Sequence, residues 1–191
     1  MSFISQTISR LATIAFFAAG NGVAAASAGQ SMIFDDFTND PQNWWDYVAD
    51  TVMGGVSDGT IDFSNDGDKH FVRLRGTVST DNNGGFIQVR RRFDEAIGDG
   101  ASTVSLTVRG NGERYYVFLR SRKATRPWHS YRASFIADAE WQEVRLTIAE
   151  FEPSRDVLPA HIQPADIIGL GLVAYGADFQ ADLSVADVKI D

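Results

Sequence analysis

The chain has 191 residues, with 25 acidic side chains against 17 Lys and Arg, a net charge of −8 and no cysteine. That balance opposes nucleic acid and anionic lipid as partners of the whole molecule. The missing cysteine excludes disulfides, zinc–thiolate sites and a thiol nucleophile, so the fold must rest on its core.

The N-terminus is a compositional zone of its own, because Arg10 is its only charge before Asp35. An apolar, alanine-rich run ends in Ala26-Ser27-Ala28, which reads as a secretory signal peptide over residues 1–28. The expected product is exported and periplasmic. A mitochondrial presequence or an uncleaved N-terminal anchor are the alternatives. Residues 29–191 are expected to form one domain, and no later stretch is long and apolar enough to span a bilayer as a helix.

The elements expected in that domain are strands almost throughout. In 71–79, Val72, Leu74 and Val78 alternate with Arg73 and Arg75. In 85–93, Ile87 and Val89 oppose Gln88, Arg90 and Arg92, and in 102–110 Val104, Leu106 and Val108 face inward. Segments 114–122, 128–135, 141–148, 166–176 and 181–190 complete the series, and 154–165, among three prolines, reads as a long loop. Asn82-Asn83-Gly84-Gly85 and Gly110-Asn111-Gly112 supply tight-turn chemistry, which predicts hairpins joining 71–79 to 85–93 and 102–109 to 114–122. Eight or more short antiparallel strands predict an all-β fold, a jelly-roll β-sandwich.

Catalytic chemistry is hard to build from these residues. His70, His129 and His161 lie beside no G-x-S-x-G elbow, and His129 reads as a partly exposed strand residue. No phosphate-binding loop is present, because "MGGVSDG" lacks a lysine. The 25 acids offer many pairs for a hydrolase or lyase, but nothing marks one pair as special. No cofactor is expected. Asp35, Asp36 and Asp187, from the two terminal strands, are the weak candidates for a structural calcium ion, against solvated edge charges. Trp44, Trp45, Tyr47, Tyr116, Trp128 and Tyr131 form an aromatic set divided between core and a surface platform. Tyr116, Phe118 and Arg120 share the face opposite Val117 and Leu119, either a binding surface or the other half of the core.

The most distinctive stretch is "DTVMGGVSDG", with Asp50, Val52, Met53, Gly54, Gly55, Ser57 and Gly59, followed by "NGGF" at Asn83, Gly84, Gly85 and Phe86. Gly54-Gly55 permits a tight reversal or a close backbone approach. Met53 reads as an apolar plug for an irregular gap, and Asp50 and Ser57 as caps for backbone N–H groups. With 110–120 and 141–151, these motifs resemble the complex I intermediate-associated protein 30 family across about residues 33–191. The resemblance implies a galactose-binding-like jelly roll. It also implies the role of the mitochondrial members, which act as chaperone-like assembly factors for membrane-arm intermediates of respiratory complex I. This chain is more similar to the short bacterial members. The expected function is therefore a non-enzymatic module that binds a protein partner, with carbohydrate binding in the cell envelope as the alternative. The candidate binding residues are Trp45, Asp50, Met53, Gly54, Gly55, Ser57, Asn83, Gly84, Gly85, Arg90, Tyr116 and Arg120.

Overall fold

The computed structural model describes residues 33–191, so the expected leader over 1–28 lies outside the described residues. The strands are β1 (Ile33–Asp35), β2 (Trp45–Ala49), β3 (Asp58–Asp66), β4 (Lys69–Val78), β5 (Phe86–Arg92) and β6 (Thr103–Gly110). They continue with β7 (Arg114–Ser121), β8 (Tyr131–Ile136), β9 (Gln142–Thr147), β10 (Glu152–Pro153), β11 (Ile167–Tyr175) and β12 (Phe179–Ile190). No α-helix occurs among the described residues, only short 3-10 turns.

Two antiparallel sheets face each other. The first runs β3-β4-β12-β6-β9, with β1 also pairing β12, and the second runs β10-β8-β7-β11-β5-β2. The core between them comes from one side of each strand, as the period-2 pattern requires. Val72 and Leu74, Val104 and Leu106, and Leu183 and Val185 enter from the first sheet. Ile87 and Val89, Val117 and Leu119, and Leu170 and Leu172 enter from the second. Each such side chain stabilises by about 1.5–3 kcal/mol when fully buried. The loop after β10 carries Leu158 and Ile162 into the same core. This is the all-β jelly-roll sandwich that the alternation predicts.

Both expected hairpins are overturned. β4 lies in the first sheet and β5 in the second, so residues 79–85 cross the sandwich edge rather than close a hairpin. β6 and β7 are divided in the same way across Gly110-Asn111-Gly112. The Asn-Gly signals do mark reversals, with Asn82 and Asn83 at φ 56° and 58°. Capture of the chain by distant groups decides which sheet follows. At the second crossing the buried Tyr115 hydroxyl donates to Asn111 Oδ1 at 2.6 Å and accepts from the Asp182 N–H at 2.9 Å. Burial, the larger effect, pushes that tyrosine's pKa up to about 12.

Candidate functional site

The two glycine motifs meet on one buried carboxylate. Asp50 follows β2 directly and has no exposed surface. Its Oδ1 accepts the Ser57 N–H at 2.9 Å, and its Oδ2 accepts the Ser57 hydroxyl at 2.5 Å. Oδ2 also accepts the Gly85 N–H at 2.5 Å and the Phe86 N–H at 3.1 Å. Burial alone would raise the pKa of Asp50. The hydrogen bonds from the Ser57 side chain and from the Gly85, Phe86 and Ser57 N–H groups outweigh it and hold the pKa below its ordinary value. The glycines make room for this. A Cβ on Gly55 would overlap the Asp50 carboxyl group, and one on Gly84 would lie 2.5 Å from Oδ2. Gly54 turns the chain at φ 91°, in the left-handed region.

The buried half of the motif pins the loop, and the other half faces solvent. Val52, Met53 and Val56 are 72%, 52% and 50% exposed. Met53 is therefore not the apolar plug its sequence context suggests, because Asp50 and Ser57 fill the interior of the turn. Trp45 is corrected too: it is 3% exposed, packs on Phe37 at 5.4 Å and donates to Asp35 at 2.8 Å. Trp44 carries the exposed indole instead, near the Arg91 guanidinium. Asn83 is exposed beside the crossing and serves the turn through its positive φ.

The three aspartates named for calcium are not brought together. Asp35 is engaged by Arg91, Trp45 and its own Phe37 N–H. Asp36 and Asp187 line an open cleft with Asp66, Asp68, Lys69 and His70. Among the described residues no group of three His, Cys, Asp or Glu side chains is arranged to hold a metal ion.

The outer faces of the two sheets differ in chemistry. On the first, charges are matched: Arg73 grips Asp182 through two bonds of 2.7 and 2.6 Å, and Arg75, Arg109 and Arg145 each pair with an acid. Such exposed pairs contribute about 0–1 kcal/mol each. On the second, the register sets Phe86, Gln88, Arg90 and Arg92 on β5 in line with Tyr175, Val173, Gly171 and Gly169 on β11. Tyr116, Phe118 and Arg120 on β7 stand beyond them, then Ser134 and Arg132 on β8. Tyr116, Phe118 and Tyr175 form an edge-to-face cluster with centroids 5.5–6.1 Å apart. The Arg132 guanidinium lies 4.6 and 4.7 Å from the Phe118 and Tyr175 ring centroids and donates to the Tyr175 hydroxyl.

Arg120 has a structural task. Its guanidinium donates to the carbonyl oxygens of Ala124, Arg126, Pro127 and His129, which ties the 122–130 loop to the sheet. Burial pushes its pKa below the ordinary value, and the charges of Arg92 and Arg90 add to that. His129 lies in this loop, 6% exposed, which corrects its reading as a partly exposed strand residue. Tyr116 and Arg90 therefore remain on the outer face of the second sheet and Met53 is exposed on the turn after β2, while Asp50, Ser57 and the glycines build that loop. Arg92, Arg132, Tyr175, Val52 and Val56 were absent from the sequence-based site. The alternation in 85–93 already carried Arg92 in phase with Arg90; exposure of the two valines had no sequence signal.

Several solved structures share this fold. A family 11 carbohydrate-binding module from Clostridium thermocellum, in complex with a β-1,3-1,4-mixed-linked tetrasaccharide, matches at 14% identity and TM-score 0.66, covering 83% of this chain and 93% of that one. The family 11 module of the Clostridium thermocellum cellulase Lic26A-Cel5E matches at 14% identity and TM-score 0.68, over 85% and 94% of the two chains. The K1 cleaved adhesin domain of Lys-gingipain from Porphyromonas gingivalis W83 matches at 8% identity and TM-score 0.51, over 84% and 98%. No curated protein sequence matches the chain. The sequence profile of the Complex I intermediate-associated protein 30 (CIA30) family matches residues 35–184, more than half of the chain. The protein belongs to that family.

Proposed function

We propose that this chain is a non-enzymatic, exported protein-binding module that acts as an assembly factor, holding intermediates of respiratory complex I. The observation that carries the reading is the division of labour within the family's motif. Asp50, Gly55 and Ser57 fix the loop from inside, while Val52, Met53 and Val56 are exposed to solvent. A rigid loop loses little conformational freedom when a partner covers it, so the apolar burial is retained as affinity. The family match supports complex I intermediates as that partner, and the 1–28 segment supports export.

Affinity capture of the C-terminally tagged full chain from solubilised membranes of its own organism tests this. Complex I subunits should be enriched, and Val52→Asp with Met53→Asp should lower the yield about tenfold or more while leaving thermal unfolding nearly unchanged. Absence of complex I subunits above an untagged control, or equal recovery with the double variant, would refute the reading.

Carbohydrate binding is the second reading, favoured by the Tyr116–Phe118–Tyr175 cluster on an open sheet face. Arg132 lies over two of those rings, which leaves less aromatic surface for a sugar to stack on. Unchanged fluorescence of the exposed Trp44 and Trp128 across a polysaccharide panel would dismiss it.

A further inference from the structure

We propose that Asn83 is a site of self-modification: the Gly84 nitrogen attacks the Asn83 side-chain amide, and the isoaspartate that results loosens the loop held by Asp50. The inference is independent of what the protein binds.

Asparagine followed by glycine is open to this chemistry, because glycine has no Cβ to obstruct the approach of its nitrogen to the preceding side chain. Two such pairs occur among the described residues, Asn83-Gly84 and Asn111-Gly112, and both asparagines are exposed. Asn21-Gly22 lies outside the described residues. Hydrogen bonding separates the two described pairs. The Asn111 amide is held at both ends: Nδ2 donates to the Gln180 carbonyl at 2.7 Å, and Oδ1 accepts the Tyr115 hydroxyl at 2.6 Å. The Gly112 N–H is engaged elsewhere, by the Ala137 carbonyl at 2.8 Å. Turning the Asn111 amide onto Gly112 breaks all of these bonds. The Asn83 side chain makes no hydrogen bond among the described residues. The Gly84 N–H donates within its own exposed turn, to the Asp81 carbonyl at 3.0 Å.

The ends of the crossing decide where the chain can open. Asp178 Oδ1 accepts the Thr80 N–H and hydroxyl at 2.7 and 2.8 Å, and Asp50 holds the Gly85 and Phe86 N–H groups. Between these anchors lies the exposed 3-10 turn Asp81–Asn83. Such a turn opens locally while the sandwich stays folded. In the open turn the Gly84 nitrogen bonds to Asn83 Cγ and the Cγ–Nδ2 bond breaks. Nδ2 leaves as ammonia, which takes up, through solvent, the proton that Gly84 gave up. Water then opens the five-membered imide, with no change of oxidation state. Cleavage at Cγ leaves aspartate. Cleavage at the main-chain carbonyl of residue 83 leaves isoaspartate, whose main chain is longer by a methylene. The crossing has no slack for that insertion, since even a Cβ on Gly84 would lie 2.5 Å from Asp50 Oδ2. The Gly85 and Phe86 donors are displaced from the carboxylate, and the turn carrying Val52 and Met53 loses its hold.

Ageing of the full chain in mildly alkaline buffer tests this, with conversion mapped by mass spectrometry of peptides and isoaspartate labelled by an isoaspartyl methyltransferase. Asn83 should convert about tenfold or more faster than Asn111. Asp178→Ala, at an exposed side chain, releases the Thr80 anchor and should speed conversion at Asn83 several-fold with Asn111 unchanged. Tyr115→Phe should instead speed Asn111 relative to Asn83. The isoaspartate fraction should unfold at a lower temperature than the parent, whereas Asn83→Asp, with an ordinary main chain, should unfold close to it. An intact Asn83, equal rates at the two asparagines, a rate at Asn83 unmoved by Asp178→Ala, a rate ratio unmoved by Tyr115→Phe, or an isoaspartate fraction as stable as the parent would each overturn the proposal.

Discussion

Replacing Asp50 by Asn keeps the side-chain volume and removes the charge from the group on which both glycine motifs converge. In its least costly orientation the amide carbonyl takes the Oδ2 position and keeps the Ser57 hydroxyl, Gly85 N–H and Phe86 N–H as donors. The NH2 group then points at the Ser57 N–H, which is left without an acceptor. One unsatisfied buried donor costs about 1–3 kcal/mol, and three charge-assisted bonds become neutral ones of roughly half the strength. The expected loss is about 3–5 kcal/mol, a large share of a typical total of about 5–15 kcal/mol. In thermal unfolding that is a fall in Tm of roughly 10 °C or more. The pH dependence carries the same signature. The folded pKa of Asp50 lies below the unfolded carboxylate value of about 3.9, so its stabilisation is fully present above that value and is lost as pH falls through the folded pKa. The gap between parent and Asp50→Asn should therefore narrow below about pH 4. Chemical denaturation at pH 7 and pH 3.5 reads both effects. A variant within about 1 kcal/mol of the parent at pH 7 would refute the account of the knot.

Gly55→Ala should cost about 1–3 kcal/mol through overlap with the Asp50 carboxyl group, and this cost should shrink by more than about 0.5 kcal/mol in an Asp50→Ala background, as a double-mutant cycle would read. Tyr115→Phe strips the Asp182 N–H of its acceptor and should cost about 1–3 kcal/mol in urea unfolding, with m unchanged. Arg120→Ala frees four carbonyl groups of the 122–130 loop, so limited proteolysis should nick that loop faster, with a loss of about 1–2 kcal/mol overall.

The parts of the fold legible in sequence were those where one face is buried. β4, β5, β6 and β7 announce themselves because valine, leucine and isoleucine alternate with arginine, threonine and serine. β3 was hidden because "DGTIDFSND" is made of turn-forming residues, and as an edge strand it turns only Ile61 and Phe63, both half-buried, toward the core. β1, β2 and β10 are too short for a period to register. Sheet membership was illegible for another reason. The Asn-Gly chemistry at residues 82–85 specifies a reversal, while the choice to cross the sandwich is made with Asp50, which binds the Gly85 N–H across 35 positions of sequence. The same carboxylate explains why the two motifs occur together. The second motif supplies the Gly85 and Phe86 N–H donors, and the first supplies the carboxylate that accepts them.

Hydroxyl-radical footprinting of the full chain, free and bound to the captured complex I intermediate, tests most directly where recognition takes place. Protection should appear at Met53, Tyr116 and Phe118, with Trp141, beside Arg109 on the first sheet, unchanged. Protection of Trp141 with Met53 and Tyr116 as reactive as in the free chain would place the partner on the charge-paired sheet and contradict the account.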